Sequence, residues 1–173
     1  MSFVILRDPV WASVFLLAGG LLAVPVLVAV LARIQALSPV TFTSAVVLAL
    51  GAALGSAVHG GYDLANLLHP PAGLNPDLPN PVDPRGLLTF GVAGLALVVL
   101  GAAARPTGRF PRWLSVLAVV DGGLLVMLYL ARLIVLDPAS PLVLAPALLT
   151  GFLLTPAWYA GLAVWLLRPP PPR

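Results

Sequence analysis

The sequence predicts an all-α, polytopic transmembrane helix bundle of about five helices. Three observations lead there. Hydrophobic residues make up 60 % of the 173-residue chain and charged residues 9 %, with a mean hydropathy of +1.05. A soluble domain carries about 25 % charged residues, so this chain has too little polar surface to cover a water-facing globule. The apolar residues fall into five continuous runs, each close to the roughly 20 residues that cross a bilayer as a helix. None of the runs alternates apolar with polar, as the strands of a membrane β-barrel do.

The first run, residues 11–32, begins at Trp11 and stops at Arg33. It exceeds the apolar region of about 7–15 residues in a signal peptide, and so reads as a retained span. Cleavage after Val30-Leu31-Ala32 is the alternative. The second run, 39–68, opens on Ser38-Pro39. A serine can cap a helix and a proline fits its first turn, where the missing N–H costs nothing. The third run covers 86–104, the fourth 113–136 and the fifth 141–167. Pro25, Pro146 and Pro156 fall inside runs, where each removes a donor and is expected to kink its helix. Thr155 stands ready to satisfy a freed carbonyl beside Pro156. Together these spans make one domain, 1–167.

Residues 69–85, HPPAGLNPDLPNPVDPR, contain six prolines and cannot form regular helix. They read as a stiff outer loop, and the Pro-rich residues 168–173 as a cytoplasmic tail. All nine cations are Arg and all six anions Asp. Arg33, Arg105, Arg109, Arg112, Arg168 and Arg173 fall on one side of the predicted topology, against Arg7 and Arg85 on the other. By the positive-inside rule the N-terminus is outside and the C-terminus cytoplasmic, in the cell inner (plasma) membrane. Arginines so distributed explain the sequence pI of about 10.2 without nucleic acid as a partner. The partners expected are the lipid bilayer and a membrane-protein partner or a second copy (a homo-oligomer).

Ionisable groups inside a span are costly and face the protein interior. On the second span His59, Tyr62, Asp63 and Asn66 share one helical face, continued backwards by the glycine pair Gly51 and Gly55. That stripe should be buried, which would make the second helix the hub of the bundle. The fourth span carries Asp121, Tyr129 and Arg132. Asp63 and Arg132 are each about 6–8 Å below the outer boundary by helical rise, so they are expected to form an ion pair, with His59, Asn66 or Tyr129 completing the hydrogen bonds. Asp83 and Arg85 of the outer loop are further candidates for this cluster. Asp121 is deeper, about 12 Å from the inner end. It reads either as a neutral carboxyl hydrogen-bonded to a neighbouring helix or as a proton-carrying group.

No phosphate loop, nucleophile elbow or metal-ligand spacing is present, and Cys is absent altogether. No catalytic, cofactor or metal residue is therefore assigned. The stretches HGGYDLANLLHPP, LPNPVDPRG and YLARLIVLDP resemble uncharacterised multi-pass membrane proteins of GC-rich bacteria, over residues from about 45 to 167. That resemblance implies a polytopic membrane fold and brings no activity with it. The expected role is structural or accessory. The competing readings are a small transporter or proton-linked carrier using Asp121 and the His59–Asp63 stripe, and a membrane-embedded enzyme at the outer cluster of His59, Asp63, Asp83, Arg85 and Arg132.

Overall fold

The structure, a computed structural model, describes residues 9–34, 37–69, 85–108, 110–135, 137 and 139–168. Among them there is no strand, and five helices are long and apolar enough to cross a membrane. These are α1 (Pro9–Arg33), α2 (Pro39–Leu68), α3 (Leu87–Thr107), α4 (Arg112–Ile134) and α5 (Pro141–Leu167). The shortest has 21 residues, about 31 Å of helical rise, against a hydrocarbon core of about 30 Å. The Pro-rich stretch 70–84, which includes Asp77 and Asp83, and the tail 169–173 lie outside the described residues.

Local chemistry sets several helix ends. Ser38 caps α2, its hydroxyl accepting from the Thr41 N–H at 3.3 Å, with Pro39 in the first turn. At the far end of α3 the helix tightens into a 3₁₀ turn, Arg105–Thr107, and closes at Gly108 with φ +67°. That left-handed backbone suits glycine, which has no Cβ to clash. Pro25 leaves α1 continuous to Arg33. In α5 the prolines have a larger effect: between Pro146 and Pro156 the helix widens into a π segment, Thr150–Leu154. A second π segment, Leu87–Val92, opens α3.

The helices pack in chain order, with α1 on α2, α2 on α3, α3 on α4 and α4 on α5. Lipid tails are as apolar as leucine, so close packing between helices depends on small residues. A Cβ built on Gly20 would lie 2.6 Å from the Ala53 carbonyl oxygen, and one on Gly60 2.6 Å from that of Ser13, so α1 and α2 touch backbone to backbone. Gly94 and Gly122 do the same for α3 and α4, each 2.5 Å from the other's oxygen. The Gly51–Gly55 pair faces α3, but it meets the side chains of Val92 and Leu88.

The main buried apolar cluster gathers at the end where α1 and α5 finish. Val30, Leu31 and Ile34 meet Leu100, Phe110, Leu114, Leu162 and Trp165 there. Phe110 stands edge-on to Trp165 at 5.0 Å, and the Arg33 guanidinium lies over the same ring. Arg33 also donates to the carbonyls of Leu166 (2.6 Å) and Arg168, tying α1 to the end of α5. No residue of α2 belongs to this cluster, and only Val46 packs against its edge. The α2 stripe expected to be buried is only partly so: Gly55 is buried, Gly51, His59, Asp63 and Asn66 are half-buried, and Tyr62 is 53 % exposed, while α2 packs on α1 and α3.

Candidate functional site, a divided polar cluster

The intramembrane polar residues separate into two groups. The first joins α2 to the head of α3. Arg85 Nη1 donates to Asp63 Oδ1 at 2.8 Å, and His59 Nε2 lies 3.5 Å from Asp63 Oδ2. His59 Nδ1 is 3.1 Å from the Thr89 hydroxyl, which in turn donates to the Arg85 carbonyl at 3.1 Å. The circuit closes on itself: Asp63, Arg85, Thr89, His59 and back to Asp63. The helical repeat explains it, because His59 and Asp63 are four apart on α2, and Arg85 and Thr89 are four apart at the head of α3. Side-chain exposures of 14 % for His59 and 17 % for Asp63 make both half-buried. The Arg85 guanidinium also covers the Tyr62 ring at 4.5 Å.

Donor counting couples the protons in this ring. A hydroxyl has one proton to give, and a neutral imidazole one donor and one acceptor nitrogen. When Thr89 donates to the Arg85 carbonyl, His59 Nδ1 must donate to Thr89. His59 Nε2 then faces the Asp63 carboxylate favourably only if it is protonated as well. With a neutral ring protonated at Nε2, Thr89 turns to donate to Nδ1 and releases the carbonyl. The His59 tautomer and the orientation of the Thr89 hydroxyl are thus coupled.

The second group joins α4 to α5. Asp121 is fully buried, and its Oδ2 accepts from Thr155 Oγ1 at 2.7 Å. Its Oδ1 has no partner among the described residues. Backbone geometry explains the reach of Thr155. The Thr155 N–H bonds to the Thr150 carbonyl, five residues back, and this wide turn inserts a residue into the helical repeat. One inserted residue rotates all later side chains by about 100° relative to a continuous α-helix. Thr150, and not Thr155, bonds back into its own helix, donating to the Pro146 carbonyl at 2.8 Å.

The expected Asp63–Arg132 pair is therefore corrected. Asp63 pairs with Arg85, and α3 lies between the two proposed partners: Gly55 of α2 meets Leu88 of α3, while Gly91 on α3 packs against the Tyr129 ring of α4. Arg132 is half-buried, and its Nη1 has no partner among the described residues. Tyr129 and Asn66 make no side-chain hydrogen bond there either. Asp83 lies outside the described residues. No three His, Asp, Glu or Cys side chains cluster among the described residues as metal ligands would.

Sequence reasoning did not find Thr89, nor the role of Thr155. The signal for Thr89 was its position four residues after Arg85. No sequence signal separates a threonine reaching across to Asp121 from one bonding back into its own helix. A third feature also went unread: an apolar cleft of about 570 Å³ opens between α1 and α5, with α2 and α3 behind it. Compared with known proteins, the chain matches no family model, no curated protein and no solved structure.

Proposed function

We propose that this protein is a structural or accessory component of the cell inner (plasma) membrane, N-terminus outside and C-terminus cytoplasmic, acting beside a larger membrane protein or a second copy of itself. The observation that carries this reading is the closed circuit of Asp63, Arg85, Thr89 and His59. Groups bonded to one another across a helix contact serve that contact, and a substrate would have to displace them. The orientation is supported by Arg33, Arg105, Arg112 and Arg168, which cap one end of the bundle, while Asp63 and Asp137 are at the other. Arginine-rich ends face the cytoplasm.

A second reading, a proton-linked carrier, has one observation in its favour. Asp121 is fully buried, one of its oxygens has no partner among the described residues, and its partner Thr155 lines the cleft. An enzyme at the outer cluster has less support, since Arg132 stands apart from His59, Asp63 and Arg85. Proton flux into vesicles carrying the purified protein separates these roles. The accessory reading predicts flux equal to that of protein-free vesicles, unchanged by Asp121→Asn. A pH-gradient-driven flux that Asp121→Asn abolishes would establish the carrier instead.

A further inference from the structure

The cleft between α1 and α5 is open along its length and closed at one end. On α1 its lining runs from Phe15 to Val30, about 22 Å of helical rise. At the arginine-rich end, Val30, Trp158 and Leu162 of the apolar cluster form its floor, and Arg33 bonded to the end of α5 holds the two helices together below them. Elsewhere α1 and α5 stand apart. Residues on its α1 wall such as Phe15 and Leu22, 60 % and 66 % exposed, face the surrounding lipid. The wedge thus opens sideways, toward the end of the bundle that carries Asp63 and Arg85.

Size and chemistry select the occupant. The cleft measures about 570 Å³. Among the described residues no charged side chain lines the cleft, so a charged ligand would be buried unpaired at high cost. Water needs two to four polar partners in a cavity. Of the lining polar groups, Thr89, Thr150 and Thr155 already donate to protein atoms, and Ser56, Tyr159 and the Trp158 indole N–H are scattered in an otherwise apolar wall. A narrow, neutral, flexible hydrocarbon chain matches such walls, and the leaflet at the mouth is made of them. Volumes of about 300–1,000 Å³ with mostly apolar walls are those of small-molecule sites.

We infer that the cleft between α1 and α5 is a lateral binding site for one acyl chain of a bilayer phospholipid, its tip resting near Trp158. This inference does not depend on the accessory role. A variant with Trp11, Trp113 and Trp165 changed to Phe leaves Trp158 as the sole fluorophore, only 5 % exposed as a residue. It is reconstituted into phosphatidylcholine vesicles with brominated or unbrominated acyl chains. A second variant retaining only the exposed Trp113 serves as the quenching control.

The expected result is loss of Trp158 emission in brominated vesicles, and recovery when the cleft is plugged by Ala49→Phe or, separately, by Ala93→Phe. Val58→Phe, on the lipid-facing side of α2, leaves the quenching intact. Two plugs on different helices guard against one that fails to fold, which circular dichroism detects. Trp158 emission that survives bromolipid while Trp113 is quenched would overturn the inference, as would quenching that persists in both folded plugs. A second copy seated on this face gives the first of those outcomes.

Discussion

At the scale of single residues, the half-buried Asp63–Arg85 contact should dominate. Removing one partner of a buried pair leaves an uncompensated charge, which costs more than losing the pair itself. Arg85→Gln is expected to destabilise the protein by about 2 kcal/mol, below the fully buried range because both groups keep some solvent contact. The double variant Arg85→Gln, Asp63→Asn should recover part of that loss, as read from thermal unfolding in detergent. Thr155→Val removes the only hydrogen bond to the Asp121 carboxyl among the described residues. The expected cost is about 1–2 kcal/mol, the upper part of the range for hydrogen bonds between membrane helices. Asp121→Asn keeps an oxygen to accept from Thr155 and should cost less. Much of this chemistry was legible one residue at a time: Asp63 and Asp121 needed company because charge in hydrocarbon is expensive. The identity of the company was not. Depth along a helix is readable from a sequence, but which helix stands between two others is not, and α3 separates Asp63 from Arg132.

At the scale of elements, hydropathy alone revealed five helices, since each must satisfy its own backbone in lipid. The π segments of α3 and α5 were hidden. A turn that is one residue wider changes no composition, yet each such segment contains or adjoins a threonine bonded to an ionisable group, Thr89 to His59 and Thr155 to Asp121. Wide turns of this kind recur at functional sites. Glycine spacing misled in a similar way. Gly51 and Gly55 have the familiar four-residue interval, but the tightest backbone contacts fall at Gly20, Gly60, Gly94 and Gly122. Gly122→Ala would bring its Cβ to 2.5 Å from the Gly94 oxygen and must push α3 from α4. A loss of about 1–3 kcal/mol is expected from such overpacking. Gly123→Ala, one residue on with nothing within 4 Å, should be neutral or slightly stabilising, because alanine favours helix. Thermal unfolding of the two variants side by side checks the packing of α3 on α4.

At the scale of the whole molecule, an odd number of spans sends the two chain ends to opposite sides, and charge then decides which is which. Arginines collect where α1 and α5 finish, together with the aromatic contact of Phe110 and Trp165. The same end is the better packed, while the other widens into the cleft. The account rests on all five helices lying in lipid, with their charges turned toward one another. Because the natural chain contains no Cys, single cysteines can be introduced against a silent background. With a membrane-impermeant maleimide on intact cells, a cysteine at Asn75, between α2 and α3, should label from outside. One at Thr107, at the end of α3, should label only after the membrane is permeabilised. Labelling of both from the same side would contradict the bundle described here.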